Sequence, residues 1–68
     1  MKDHPERVLI YYTNHKGETA WRDIRPDRIS FENNEWHHDS QWILYAFDYS
    51  RNAERGFAIK DIQEWKTP

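Results

Sequence analysis

The sequence contains no cysteine, which excludes a disulfide framework, a thiolate zinc site and a cysteine nucleophile. The only glycines are Gly17 and Gly56, so no segment resembles a glycine-rich phosphate-binding loop. The longest apolar run, Trp42 to Phe47, is far shorter than the roughly 20 residues of a membrane-spanning helix. The first residues lack the apolar segment of a secretory signal peptide. These absences favour a cytoplasmic protein without membrane contact, and we expect residues 1–68 to form one domain.

Aromatic residues are abundant, because the chain has four Trp, four Tyr and three Phe. A chain of this size buries only about 60% of its unfolded surface and has little stability to spare. Each large ring can remove roughly 150–250 Å² from water, so a few rings can support a small core. The aromatic content therefore predicts a folded domain, although 32% of the residues are charged.

The overall charge gives no support for a general DNA binder. The net charge is -2 and the pI is about 6.0, whereas a non-specific DNA-binding domain usually has a pI above ~9. Any binding of anions must therefore come from a local cluster of positive side chains.

Apolar and β-branched residues separated by turn residues predict a chain made mainly of strands. Gly17 is placed to take a positive φ in the first turn, and Pro26 marks a sheet edge or bend. We expect residues 60–65 to form one helical or 3₁₀ turn. The predicted strands are Val8–Thr13, Glu18–Ile24, Arg28–Phe31, Gln41–Asp48 and Arg55–Ile59.

Five short strands with tight turns predict an all-β fold of a particular kind. Closing a small antiparallel sheet hides its edges, so we expect a closed or half-closed SH3-like or Sm-like barrel. The apolar run Gln41–Asp48 is expected to be the central strand, covered on both faces.

Three arginines alternate with two aspartates in residues 22–28, the densest charged segment of the chain. Side chains alternate between the two faces of a strand, so Arg22 and Arg25 point to opposite faces unless the bend at Pro26 re-aims one of them. Guanidinium groups bind phosphate or carboxylate through paired hydrogen bonds. The alternative is that the aspartates simply neutralise Arg22, Arg25 and Arg28 at a solvated edge.

The histidines, carboxylates and serines do not form a recognisable catalytic or metal-binding pattern. His37 and His38 are adjacent and would point to opposite faces of an extended segment, so they do not converge on a metal. His4 and His15 lie in a terminus and a turn, and no serine has the context of a nucleophile elbow. We therefore expect neither enzymatic activity nor a cofactor.

The four tryptophans are expected to divide between the core and the surface. Trp42 lies inside the most apolar strand and is predicted to be buried, and Trp65 is predicted to cap the barrel from a helical turn. Trp21 and Trp36 have polar neighbours, so they are predicted at the surface. There they either pack against arginine stems or form an interface.

Several short motifs resemble the WYL family, whose members contain a small β-barrel that usually follows a DNA-binding module in bacterial regulators. The family's tyrosine is Ile43 here, and Ala58 stands where the family often has a second arginine. The motifs that carry the resemblance are Ile10-Tyr11-Tyr12, Ile24-Arg25-Pro26, Trp42-Ile43-Leu44, Arg55-Gly56-Phe57, and the apolar positions Ile59 and Ile62.

The resemblance and the arginine cluster lead to one main hypothesis. The chain is expected to be a stand-alone barrel that senses an anionic ligand, either single-stranded nucleic acid or a nucleotide, in transcription regulation. Arg55 is the expected central anion contact, Arg22, Arg25 and Arg28 assist it, and the ring of Tyr12 supplies stacking.

A second hypothesis is a protein-interaction module. In that case the chain acts as a homodimer or an accessory subunit and uses surface tryptophans and an exposed strand edge. The salt dependence of binding separates the two hypotheses, since phosphate contacts weaken steeply as salt rises.

Overall fold

The computed structural model describes residues 6–33 and 39–68, and its strands form one antiparallel sheet. A 3₁₀ turn (Ile59–Asp61) follows the fourth strand. The predicted all-β character is therefore confirmed. The strands are β1 (Val8–Thr13), β2 (Thr19–Glu32), β3 (Gln41–Asp48), β4 (Ala53–Ala58) and β5 (Ile62–Lys66).

The strand order across the sheet is β4-β3-β2-β1-β5. The middle strand is therefore β2, and the prediction that Gln41–Asp48 is central was wrong. In the described part of the chain the two edge strands, β4 and β5, are not paired with each other, so the sheet is not closed. Of the two expected forms, closed and half-closed, the closed barrel is not formed by the described residues.

The turn between β1 and β2 is built around the side chain of Asn14. Its Oδ1 accepts hydrogen bonds from the backbone N–H groups of Lys16 and Glu18, each at 2.9 Å. Gly17 has φ +83°, a conformation that glycine adopts without steric cost. The turn places Thr13 directly opposite Thr19 and so sets the register of the two strands.

The strand β2 is one continuous element where the sequence predicted two strands. Its pairing with β3 shifts register between Pro26 and Arg28, which makes Asp27 the extra residue of a β-bulge. Pairing with β1 ends at Val8 and Ile24, so β2 has only one partner strand at Pro26. A proline is tolerated where one side of a strand is free. The prediction of a sheet edge or bend at Pro26 is therefore confirmed as an edge position beside a bulge, and the strand continues through it.

Ile43 and Ala58 are buried on one side of the sheet, and the main core cluster lies on the other side, which we call the inner face. Tyr12 and Phe57 meet edge to face there, with ring centroids 4.9 Å apart. Val8, Ile59 and Ile62 are partly buried against this cluster. The buried core residues are Ile10, Tyr12, Ile24, Leu44, Ala46 and Phe57.

The β2–β3 hairpin extends beyond its neighbouring strands. On one side β1 ends opposite Ile24, and on the other side β4 ends where Ala58 pairs with Ile43. Trp42 therefore has no strand beside it on the β4 side, and 55% of its surface is exposed. The prediction of a buried Trp42 was wrong because the sequence does not show where the neighbouring strands end.

The C-terminal segment matches the predicted helical or 3₁₀ turn of residues 60–65 only at its start. The 3₁₀ turn is only three residues long, and the chain then forms β5 along the free edge of β1. Trp65 lies on this strand opposite Ile10 and is exposed, so it does not cap the structure from a helix. Strand pairing along the free edge of β1 replaces the rest of the predicted turn.

Within the described residues, the structure contains no helix long and apolar enough to cross a membrane.

Candidate ligand-binding face

The bulge at Asp27 brings two predicted arginines to the same face of the sheet. Arg25 lies opposite Phe47 and Arg28 lies opposite Tyr45, on the side that faces away from the core. In a regular strand, residues three apart would point to opposite faces. Because Asp27 is an extra residue, the alternation restarts after it, and both guanidinium groups reach the outer face.

Both arginines lie over aromatic rings of β3. The Cζ atom of Arg28 is 4.3 Å from the ring centroid of Tyr45, and that of Arg25 is 5.3 Å from the ring of Phe47. At these distances a cation–π interaction holds each planar guanidinium against a ring. We call this part of the outer face, formed by these two arginines and two rings, the arginine face.

The row of rings continues past the end of β3. The rings of Phe47 and Tyr49 are 5.2 Å apart, and the Cζ of Arg7 lies 4.3 Å from the Tyr49 ring. Arg7 also forms a two-point ion pair with the carboxylate of Asp23. The hydrogen bond to Asp23 raises the pKa of Arg7, which therefore keeps its charge. Its charge is already balanced by a neighbour.

The two arginines of the arginine face differ in how well they are neutralised. Arg28 has Asp27 beside it, with Nη1 and Oδ2 3.5 Å apart, and both side chains are largely exposed. Arg25 has no acidic partner among the described residues. Its positive charge is therefore available to an anion, and that of Arg28 is only weakly screened.

Arg22 does not join this face. It points to the inner side, where its Nη1 lies 3.3 Å from Oδ2 of the fully buried Asp48. Asp48 also accepts hydrogen bonds from the backbone N–H of Ser50 at 3.0 Å and from its hydroxyl at 2.7 Å. Arg22 is thus committed to an internal ion pair, which leaves it unsuited to the predicted role as a ligand contact.

Tyr12 belongs to the core and is 6% exposed. Its hydroxyl accepts a hydrogen bond of 3.4 Å from the backbone N–H of Ala58. Burial raises the pKa of Tyr12, because the ionised form would lose its hydration. With its ring packed against Phe57, Tyr12 has no free face for the predicted stacking on a ligand.

Arg55 lies on the edge strand β4, opposite Ala46, and so it belongs to the inner face. Its side chain is exposed because no strand covers that edge in the described structure. The structure therefore brings together only Arg25 and Arg28 of the five predicted site residues.

The rings beneath the arginines are the part of the site that the sequence reading missed. Tyr45, Phe47 and Tyr49 occupy alternate positions at the end of the apolar run. That period of two places the three rings on one face of a strand. The sequence predicts a strand covered on both faces, which holds at Ile43 and Leu44, whereas the three rings are only partly buried.

A second surface feature is an apolar groove on the inner side of the overhanging hairpin. It has a volume of about 600 Å³. Phe31 and Trp42 form its floor, with ring centroids 5.3 Å apart. Ile29 and Phe31 are more than half exposed. The other lining residues are Ser40, Gln41, Ile59 and Lys60.

Trp21 lies on the outer face, as predicted for a surface ring. It packs against Tyr11 with centroids 4.9 Å apart, and the Nζ of Lys66 is 5.1 Å from its centroid. Trp36, the other predicted surface tryptophan, lies outside the described residues.

The sequence predicts no metal site. Among the described residues, no three His, Cys, Asp or Glu side chains are grouped so that they could hold a metal ion. His15 lies in the β1–β2 turn, and His4, His37 and His38 lie outside the described residues.

Comparison of the chain with known protein families, curated proteins and solved structures found no match.

Proposed function

We propose that this chain is a non-enzymatic WYL-like domain that binds an anionic ligand on the arginine face, with single-stranded nucleic acid as the ligand class. The observation that carries the proposal is the bulge at Asp27, which aligns Arg25 and Arg28 over two rings. Guanidinium groups bind phosphate through paired hydrogen bonds, and their flat surfaces stack on nucleobases. A single strand of nucleic acid offers both phosphates and accessible bases.

The spacing of the two arginines suits a repeating ligand. Their partner rings, Tyr45 and Phe47, are two residues apart in β3, which corresponds to about 6.8 Å along a strand. Two charges held at this separation above an aromatic surface can contact neighbouring phosphates or a phosphate and its base. A nucleotide would use the same chemistry with fewer contacts.

We further propose that the domain is of the SH3-like or Sm-like type, with an open side. The support is the strand order: four consecutive strands are neighbours, and a 3₁₀ turn then leads β5 back to β1. In this arrangement Arg25 and Arg28 are exposed on the outer face of β2, where a ligand can reach them.

The first prediction concerns the salt dependence of nucleic-acid binding. Two phosphate contacts to a single strand predict that log affinity falls with log salt at a slope of about 1.4, or roughly sevenfold between 50 and 200 mM salt. The measurement is fluorescence anisotropy of a labelled oligothymidylate of about ten nucleotides. The double variant Arg25→Ala/Arg28→Ala should lose both the binding and the salt dependence.

The matched control is Arg51→Ala. Arg51 is an exposed arginine in the β3–β4 turn, so its removal changes the net charge without altering the arginine face. This variant should bind the oligonucleotide like the wild type. Equal affinities of the double variant and the wild type would refute the proposed site, and so would a wild-type protein that does not bind at low salt.

The apolar groove supports a second candidate function, a protein-interaction module. Three large apolar side chains, Ile29, Phe31 and Trp42, are exposed together, and contiguous apolar surface of this kind is typical of interaction sites. Binding through the groove should barely respond to salt, in contrast to binding through the arginine face.

A further inference from the structure

We propose that the free edge of β2 is a homodimer interface, in which two copies of the chain pair their β2 strands antiparallel about a two-fold axis. The proposal gives the second candidate function a specific partner and does not rest on the anion site. The edge has backbone groups that can form hydrogen bonds with a second strand. The side chains that this pairing would bring together are complementary.

Among the described residues, no strand pairs with this edge over the second half of β2. Pairing with β1 ends at Ile24, and Glu6 and Arg7, which precede β1, are not part of any strand. In the described structure, residues 25–32 therefore pair only with β3. Exposed edges of this kind are templates for another strand, and native proteins usually cover or block them.

Residues 28–32 form the regular part of this edge, since the bulge lies before Arg28 and the register with β3 is unbroken from there to Glu32. Arg28, Ser30 and Glu32 lie on the outer face. Ile29 and Phe31 lie on the inner face and line the apolar groove.

An antiparallel pairing of this segment with itself, centred on Ser30, is self-complementary. Residues that are equally far from Ser30 on either side then face each other, so Arg28 of each copy faces Glu32 of the other. On the inner face, Ile29 of each copy faces Phe31 of the other. Opposite charges and apolar–aromatic pairs are both favourable directly across a ladder.

The pairing also accounts for the exposed apolar side chains. Ile29 and Phe31 are 57% and 58% exposed in the single chain, and Trp42 lies beside them. In the dimer the two grooves become continuous across the axis, so the sides of Ile29 and Phe31 that face the edge are covered by the same residues of the other copy. The interface is isologous, as is usual for two-fold dimers.

The dimer engages Arg28 but leaves Arg25 of the arginine face accessible. The outer faces of both copies become one surface, and Arg25 lies beyond the self-paired segment on each side. Arg28 gains an acidic neighbour, so Arg25 becomes the stronger anion contact of each copy. A failure of the dimer would therefore not remove the anion site, and a failure of nucleic-acid binding would not remove the dimer.

The test is a charge swap measured by analytical ultracentrifugation of the full chain. The wild type should approach twice its mass of 8.4 kDa as its concentration rises. In either single variant, Arg28→Glu or Glu32→Arg, like charges face each other at both contacts of the dimer. Each variant should therefore weaken the dimer at least about tenfold. The double swap Arg28→Glu/Glu32→Arg restores both pairs and should restore the dimer.

Mixing the two single variants gives the sharpest readout. A heterodimer of Arg28→Glu with Glu32→Arg has opposite charges at both contacts, so the mixture should dimerise although neither variant does alone. Recovery on mixing also shows that each single variant is folded. Arg51→Glu, a swap in the distant β3–β4 turn, should leave the dimer unchanged.

Three results would overturn the proposal. The first is a wild type that stays monomeric up to about 1 mM, a concentration at which even weak association is populated. The second is a dimer that neither swap weakens, because its interface would lie elsewhere. The third is a pair of weakened single variants that neither mixing nor the double swap restores.

Discussion

Arg22 and Arg25 are three positions apart on one strand, so they lie on opposite faces of the sheet and have different surroundings. Arg22 points to the inner side and pairs with the fully buried Asp48, whereas the exposed Arg25 lies on the half-buried ring of Phe47 and has no acidic partner among the described residues. A buried charge is stabilised only by its partners, and an exposed charge is stabilised by water. At the residue scale, an arginine side chain therefore has a structural role at position 22 and is available for binding at position 25.

We expect Asp48→Ala to destabilise the fold by about 3–5 kcal/mol, because it leaves the buried guanidinium of Arg22 unpaired and removes the hydrogen bonds from Ser50. The measurement is urea unfolding followed by tryptophan fluorescence. Asp27→Ala removes an exposed partner of Arg28 and should cost less than about 1 kcal/mol. Equal losses for the two variants would show that the Arg22–Asp48 pair is not a buried structural contact.

At the scale of elements, two local features determine how the sheet is arranged. The Asn14–Glu18 turn fixes the register of β1 against β2, and the bulge at Asp27 restarts the alternation of β2. A shift of one residue would move every side chain of a strand to the other face. These two features therefore decide which side chains enter the core and which form the arginine face.

Gly17→Ala should destabilise the protein by about 1–2 kcal/mol through the backbone alone. The φ of Gly17 is +83°, and a Cβ added there would have no neighbouring atom within 4 Å, so no steric clash contributes. Gly17→Asn is the matched variant, and it should cost less because asparagine tolerates a positive φ. Thermal unfolding of both variants checks this, and an alanine variant as stable as the wild type would contradict it.

At the scale of the whole molecule, the core occupies only part of the sheet. It lies where β1, β2, β3 and β4 overlap, and the β2–β3 hairpin extends beyond them with its apolar side chains uncovered. Small domains have little core to spare, so apolar residues left outside it mark a surface with another purpose. This division separates residues that stabilise the single chain from the exposed apolar residues to which we assign a role in association.

We expect Phe57→Ala and Phe31→Ala to differ sharply in their effect on stability. Phe57 is 2% exposed and packs on Tyr12, so its truncation should cost about 3–5 kcal/mol. Phe31 is 58% exposed, and its truncation should cost less than about 1 kcal/mol in dilute protein. Urea unfolding at low protein concentration measures both. A large loss for Phe31→Ala under these conditions would place the hairpin within the core.

The sequence by itself determined the all-β class, the bounds of β1 and β3, the first turn and the existence of a charged cluster. These follow from local causes: β-branched and aromatic residues favour strands, and glycine and asparagine favour tight turns. The same local reasoning predicted the bend at Pro26.

Only the tertiary structure decided the strand order, the open edges and the roles of individual side chains. Trp42 is exposed because β4 ends beside Ile43, and Tyr12 is buried because Phe57 packs on it from a distant strand. The alternation of β2 depends on a single extra residue, which the sequence does not mark. Burial is set by neighbours far apart in the chain, so it cannot be read from the residues on either side of a position.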